Sequence, residues 1–333
     1  MIIVKNDDID PFKWKNLLNA STYASPFQSE DFYIFYNSMP DYIADVFAIS
    51  EEIEYTSLIV VTIQKERGVQ GFFSKRGIIY GGPLIAGKNE KSTSVLLNEI
   101  AKYYKTKLIY IETRNFFDYS PYSSFFEEQN WNFLPYVNFT LTTDNKSMSE
   151  LLSGMKYNRR REIKQSLEQK AFYKECETVE DLVSLYAILE DLYNSRVKLP
   201  FPELSFFLHL WQSNVGKVFI VIHEGKIIGG SFCVILEGKS IYTMYYCGLR
   251  KYNKKIYPTH LALIAALEYA INTKCKIMDL MGAGLKGQEY GVRNYKQEFG
   301  CELNEYGRYI KILNPLLYKI GIVGLKILKF VKK

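Results

Sequence analysis

The sequence predicts a mixed α/β protein made of two similar units, each a mainly antiparallel sheet flanked by helices. Three observations carry this. Short β-branched and aromatic runs come in threes, each trio is followed by a segment with helical apolar spacing, and each such helix is followed by one more apolar run. The order occurs twice within 333 residues, a length that suits about two domains.

In the first half, VFAIS (46–50), SLIVVTIQKE (57–66) and GIIYGGPLI (77–85) read as strands with turn residues between them. NEKSTSVLLNEIAKYYK (89–105) places Val95, Leu96, Ile100 and Tyr103 at helical spacing, and KLIYIETR (107–114) follows as a buried strand. In the second half, KVFIVIHEG (217–225), KIIGGSFCVILEG (226–238) and KSIYTMYYCGL (239–249) are three strands joined by tight turns. THLALIAALEYAINTK (259–274) is the helix, with Pro258 at its start, and KIMDLMG (276–282) the closing strand. Three antiparallel strands, a helix and a parallel strand form the middle of an acetyltransferase-type (GNAT-type) domain. A distant internal duplication is the simplest account, although no residue-level repeat is visible. The expected boundaries are 1–149, 150–312 and a basic amphipathic C-terminal helix over 313–333.

Composition excludes several classes. Apolar residues make up 47% and charged residues 23%, so the chain can bury a core and is not disordered. Ten Pro and 21 Gly are too few for a collagen-like or linker protein. The 27 Tyr and 21 Phe fit ring-lined pockets and aromatic cores equally well. A net charge of +6 permits an anionic partner without demanding one. No stretch approaches the ~20 apolar residues of a membrane span. The opening MIIVKNDDIDPF is acidic and lacks an apolar run, so no secretory signal is expected and a cytoplasmic location fits. The five cysteines (Cys176, Cys233, Cys247, Cys275, Cys301) are scattered and form no CxxC pair, which argues against a zinc knuckle or a disulfide framework. His209, His223 and His260 have no metal-ligand spacing, so no metal site is expected. Neither a GxSxG elbow nor a GxxxxGK[ST] loop occurs.

Between the halves lies ELLSGMKYNRRREIKQSLEQK (150–170), whose residues 156–170 hold six basic and two acidic side chains. Lys156, Arg160 and Lys164 recur every fourth residue and share one helix face, with Arg159 alongside. Such a strip is either a solvated face or a phosphate-binding surface.

The second half contains DLMGAG (279–284) followed by EYGVRNYKQEFGCELNEYGRY (289–309). With the Arg-rich helix at 158–161, the PTHLALIAALEYA helix, and SPFQSEDFY (25–33) and RGIIYGGPLI (76–85) in the first half, this arrangement resembles the FemAB family of aminoacyl and peptidyl transferases. The resemblance runs over nearly the whole chain, and the order and spacing of the motifs are more specific than any one of them. It implies tandem acetyltransferase-like domains that move an amino acid from aminoacyl-tRNA onto an amine of a peptidoglycan precursor. Better-known members carry a long helical hairpin in the second domain. Here residues 171–216 predict only two helices, roughly 180–194 and 203–213, so aminoacyl-tRNA and acyl-CoA both remain open as donors.

Acyl transfer to an amine needs the amine placed against the carbonyl, a destination for its proton and a donor for the oxyanion. Lys296 matches the lysine of the family motif and is the candidate for the oxyanion or a phosphate, with Arg293 one helical turn earlier. Asp279, at a strand end, can orient the amine or accept its proton, or simply cap the next turn. Gly282 and Gly284 fit a tight turn, with close approach to a ligand second. The loop GLRKYNKKIYPTH (248–260) lacks the glycines of a CoA cradle after Gly248 but carries Arg250, Lys251, Lys254 and Lys255, which suit a looser polyanion contact or a plain surface loop. Arg76 and Tyr80 lie where the family's first domain helps hold the acceptor. Tyr246 can face a pocket, although its alternating run YTMYYCGL also suits strand packing, and His260 reads as structural.

Three functions follow in order of preference: an aminoacyltransferase acting on a peptidoglycan precursor, an acyl-CoA-dependent N-acyltransferase acting on an amino sugar of surface polysaccharide, and a non-catalytic membrane-associated binding protein. No cofactor beyond the donor is expected. The tail LNPLLYKIGIVGLKILKFVKK (313–333) has five lysines from Lys319 onward and no acid, with apolar residues at Leu316, Ile320, Val323, Ile327 and Val331. That pattern predicts a helix lying on an anionic cytoplasmic membrane surface or packed on the protein.

Overall fold

The computed structural model describes residues 1–64, 75–87, 89–199, 201–287 and 291–331. Tyr290 and its neighbour Glu289, which open the EYGVRNYKQEFG stretch, lie outside them. The chain forms two compact units, one of Met1–Tyr136 with Glu305–Lys333 and one of Val137–Asn304. The observed breaks, at 136/137 and 304/305, therefore both lie N-terminal to the expected 149/150 and 312/313. The reason is strand pairing. The strand Tyr136–Thr142 joins the second sheet, whereas Arg308–Ile312 returns to the first.

The first unit runs β1 (Ile2–Lys5), α1 (Pro11–Ala20), α2 (Glu30–Asn37), β2 (Tyr42–Glu51), β3 (Glu54–Gln64), β4 (Arg76–Gly81), β5 (Leu84–Ile85), α3 (Glu90–Tyr104), β6 (Tyr110–Asn115), α4 (Ser123–Glu128) and β7 (Asn132–Leu134). The second runs β8 (Tyr136–Thr142), α5 (Met148–Gly154), α6 (Tyr157–Glu168), β9 (Phe172–Glu175), α7 (Val179–Leu192), α8 (Leu204–Gln212), β10 (Gly216–His223), β11 (Lys226–Leu236), β12 (Ser240–Gly248), α9 (Pro258–Asn272), β13 (Ile277–Leu285), α10 (Gly291–Glu298) and β14 (Glu302–Asn304). β15 (Arg308–Ile312) and α11 (Pro315–Val331) then complete the first unit.

The first sheet is ordered β1-β2-β3-β4-β6-β15-β7, with β5 on β3, and among the described residues only the β4–β6 pair is parallel. On one face Ile59, Val61 and Ile79 pack against Leu96, Leu97 and Ile100 of α3. On the other face Tyr80 stacks on Phe27, with ring centroids 5.2 Å apart. The second sheet is ordered β14-β8-β13-β12-β11-β10-β9, and β12 and β13 are parallel. The β10–β11 hairpin turns through Glu224 (φ 50°) and Gly225 (φ 72°), the two positive φ values that a tight primed turn requires. Helix α9 is buried almost all round, including Leu261, Ala262, Leu263, Ala265, Ala266 and Ala270. It is the centre of that unit's core, where truncating a side chain such as Leu261 to Ala would cost about 2–5 kcal/mol.

The strand–helix–strand order expected twice is present twice. The helices α3 and α9 are each 15 residues long, and each leads into a strand parallel to an earlier one, β6 to β4 and β13 to β12. An acid occupies the third residue of that following strand in both units: Glu112 in β6 and Asp279 in β13. Sequence patterns missed the short edge strands and the return of β15, because three- to five-residue strands carry too little periodicity to read.

Candidate active site

The second unit's candidate site begins where its parallel pair comes apart. β12 and β13 pair only over Ser240–Tyr242 with Ile277–Asp279. Beyond that point the Thr243 hydroxyl donates to the Asp279 carbonyl at 3.3 Å. A separation of parallel strands at their carboxyl ends is where α/β folds admit ligands. Asp279 is the last paired residue and is 1% exposed. Its Oδ1 accepts from the Met281 amide at 2.5 Å, and Oδ2 is buried with no hydrogen-bond partner among the described residues. The nearby Asn138 side chain favours the ionised carboxylate.

Met281 has φ +63°, a left-handed conformation that costs energy for a side chain of that size. Two groups hold it. Asp279 takes its N–H, and Lys296, from α10, donates Nζ to the carbonyls of Leu280 (2.5 Å), Met281 (2.9 Å) and Gly282 (3.1 Å). Arg293 extends the same strap one turn earlier. Its Nε donates to Ala283 O at 2.9 Å and its Nη2 to Leu285 O. Gly284 has φ +80°, so the strand end needs a glycine there, whereas Gly282 is exposed and absent from the left-handed set.

Burial dominates the electrostatics. It raises the Asp279 carboxyl above the ordinary carboxylate range, and the nearby Lys296 ammonium only partly opposes this. Burial likewise lowers Lys296, against the pull of Asp279. Burial pushes the thiols up, to about 11 for Cys176 and about 12 for Cys233, Cys247 and Cys301, and Cys275 is also raised. All five cysteines are buried, so none offers the thiolate that an acyl-enzyme would need.

The histidines are committed elsewhere. His260 is lowered to about 3 by burial and the Arg159 guanidinium. Its Nε2 faces Arg159 Nη1, with Glu162 Oε2 at 3.0 Å, and its Nδ1 lies 3.1 Å from Tyr295 Oη. A neutral ring with its proton on Nδ1 satisfies both the arginine and the tyrosine, an assignment inferred from these partners. His223 bridges Tyr252 Oη (2.8 Å) and the Gln169 carbonyl (3.1 Å). His209 is half-buried and donates from Nδ1 to Ser205 O at 2.7 Å. Among the described residues Asp279 is the buried carboxyl of this unit.

The other sequence candidates fall into two groups. Tyr246 is half-buried beside the split, its ring stacked on Tyr295 with centroids 6.4 Å apart. The basic strip is not one surface. The 150–170 segment is broken at Met155–Lys156 into α5 and α6, so Lys156 precedes the helix that carries Arg160 and Lys164. Arg160 turns inward and donates to the carbonyls of Ser153 (2.9 Å) and Met155 at the end of α5. Arg159 is buried between Glu162 (2.7 Å) and Glu298, with its guanidinium over Tyr295. Lys156 and Lys164 are solvated, 4.0 Å from Glu298 and 3.8 Å from Glu168. Arg250 is exposed in the loop after β12, apart from the residues that hold the β13 turn. Gly248 is required by close packing, since a Cβ there would lie 2.8 Å from Thr259 N.

In the first unit, Arg76 and Tyr80 lie on β4 beside a cluster that sequence reasoning missed. Glu112 Oε1 accepts from Arg114 Nε at 2.8 Å and from Arg308 Nη1 at 3.0 Å. Arg114 is the register partner of Tyr80, and its Nη1 lies 3.4 Å from Tyr80 Oη. The alternation of Tyr110, Glu112 and Arg114 with Ile111 and Thr113 was a readable signal of one polar strand face; nothing in the sequence placed Arg308 there.

No protein-family model and no curated protein matches the sequence. Solved structures do match in fold. The crystal structure of FemX superposes with a TM-score of 0.77 at 13% identity, covering 96% of this chain and 99% of that one. The fold is FemX-like. A tandem GNAT protein from the clavulanic acid biosynthesis pathway follows at TM-score 0.58 and 10% identity, covering 94% and 99% of the two chains. The C-terminal domain of a putative lysylphosphatidylglycerol synthetase from Agrobacterium fabrum matches at TM-score 0.60 and 12% identity, covering 96% of each. The FemX-like, tandem acetyltransferase-type architecture expected from the motif order is therefore present across the chain. The second unit's two helices between β9 and β10 are α7 and α8, as the short 171–216 segment predicted.

Proposed function

We propose that this protein is an acyltransferase that forms an amide between an activated amino acid and an amine of a cell-wall precursor, with aminoacyl-tRNA as donor. The carrying observation is the split of β12 from β13, with buried, half-satisfied Asp279 at its apex. The FemX-like fold supports the reaction class. In the proposed step, the acceptor nitrogen attacks the acyl carbonyl, Asp279 takes the proton from that nitrogen, and the leaving oxygen departs with a proton in return. Lys296 and Arg293 fix the turn that presents Asp279, so they act as positioning residues, and the Lys296 charge stabilises the carboxylate.

A second reading, acyl-CoA-dependent N-acyltransfer to an amino sugar or similar amine, draws on the likeness to the tandem GNAT protein. The loop after Gly248, with its basic residues and no further glycine, favours the first. The test offers labelled aminoacyl-tRNA and labelled acyl-CoA separately, with a peptidoglycan precursor as acceptor. Labelled amide from aminoacyl-tRNA alone supports the proposal; label from acyl-CoA alone replaces it with the second reading; label from neither removes both. We further propose that α11 rests on the inner membrane face, where a lipid-linked acceptor would be found. No helix among the described residues is long and apolar enough to cross a membrane.

A further inference from the structure

The first unit holds more positive charge on one sheet face than its own acids neutralise. Arg114 and Arg308 both donate to a single carboxylate oxygen, Glu112 Oε1. Two guanidiniums thus share one negative charge. A ring covers one face of each, with Arg308 3.7 Å from the Tyr136 centroid and Arg114 5.3 Å from that of Tyr80. Both side chains keep contact with solvent, at 29% exposure for Arg114 and 20% for Arg308. Apart from the bonds to Glu112 and Tyr80, their N–H groups make no further hydrogen bond among the described residues. Burial and the repulsion of Arg114 together lower Arg308. Burial would raise Glu112, but Arg114 and Arg308 outweigh it and hold the carboxyl below its usual range, with Arg76 adding to the same field.

Like-charged guanidiniums are held this close at a cost that a bound anion would relieve. Planar N–H forks stacked on rings are preorganised for phosphate oxygens. A buried structural ion pair would have no reason to carry the second arginine.

We infer that Arg114 and Arg308, with Tyr80 and Tyr136 as walls, form a phosphoryl-binding subsite of the first unit. It deepens the acyltransfer reading by giving one of the two substrates a phosphate or diphosphate group. Glu112 orients both guanidiniums and keeps them apart until the anion arrives.

The test is calorimetric titration of the full chain with inorganic pyrophosphate, against a chloride control of equal ionic strength. Binding should be saturable, and Arg308→Gln and Arg114→Gln should each weaken it by tenfold or more. Glu112→Gln keeps the accepting oxygen and removes the competing charge, so it should bind pyrophosphate several-fold more tightly. Melting curves show which variants remain folded; should an arginine variant unfold, the Glu112→Gln comparison alone decides. A nucleoside diphosphate and a detergent-solubilised prenyl diphosphate, run in parallel, distinguish a soluble from a lipid carrier. Absence of saturable binding, unchanged affinity in both folded arginine variants, or no tightening in Glu112→Gln would overturn the inference. No step of this test uses acyl transfer, so anion binding and the transfer reaction succeed or fail independently.

Discussion

Asp279 and Lys296 grip the same turn by complementary groups. Asp279 Oδ1 accepts the Met281 amide at 2.5 Å, and Lys296 Nζ donates to the carbonyls on either side of that amide and one beyond, at 2.5 to 3.1 Å. The pair therefore pins a left-handed methionine at the point where β13 leaves β12. A strained residue persists only where its surroundings fix it, and here the surroundings are two ionisable side chains.

Lys296 consequently bears on stability. Its ammonium is 2% exposed and spends its donors on three carbonyls, so Lys296→Met should destabilise the fold by about 2–4 kcal/mol. Urea unfolding monitored by circular dichroism reads this directly. A midpoint unchanged from wild type would show that the strap does not hold the turn.

Arg159 and Lys164 should behave oppositely despite lying five residues apart on one basic helix. Arg159 pairs with Glu162 and Glu298 at low exposure, and removing it leaves Glu162 without its arginine and Glu298 with only the more distant, solvated Lys156. Arg159→Gln should cost about 3–5 kcal/mol, whereas Lys164→Gln, at a side chain 79% exposed, should fall within about 0.5 kcal/mol of wild type. Equal effects in the same urea assay would refute the buried-cluster reading.

The neutral state of His260 makes a pH prediction. Its folded value, about 3, lies below the unfolded value near 6.5, so between those limits the unfolded chain binds the extra proton. His260 thus lowers stability as pH falls through 6.5 toward 3, and contributes no slope above. His260→Gln should flatten the dependence of unfolding free energy on pH between 6.5 and 4.5. Parallel wild-type and variant curves in that window would contradict a neutral, buried imidazole.

Helix α11 is held at its start, and several of its apolar side chains up to Val323 are exposed. The Leu313 and Asn314 amides donate to Ile109 O at 2.9 Å, and Tyr318 packs edge-on to Tyr110 at 5.4 Å. Leu316, Ile320 and Val323 are exposed. Because none of the three is buried, a Leu316→Gln/Ile320→Gln/Val323→Gln variant should fold normally. It should lose most co-sedimentation with anionic vesicles, since apolar insertion and lysine attraction of about 1 kcal/mol each act together. Equal sedimentation of wild type and variant would remove the membrane role.

Much of this was legible in sequence because long elements announce themselves. The α9 segment THLALIAALEYAINTK is too apolar to lie on a surface, and the β10–β11 turn carries its Glu-Gly signature. Asp279 could be picked out because the sequence predicts a strand end there with glycines after it, although β13 continues to Leu285. The immediate partners could not. That Lys296 would point back at carbonyls, that Arg160 would close a helix end, and that Arg308 would cross to Glu112 all depend on contacts between residues 5 to 196 positions apart. Periodicity reports which face a residue occupies and leaves open what waits there.

The most direct test of the central claim is single-turnover amide formation from labelled aminoacyl-tRNA by wild type and by Asp279→Asn. Asparagine keeps an oxygen for the Met281 amide but cannot take the amine proton at neutral pH. The account predicts a rate loss on the order of 10²-fold or more, with a melting temperature within a few degrees of wild type. Amide formed by the folded Asp279→Asn protein at the wild-type rate would contradict it.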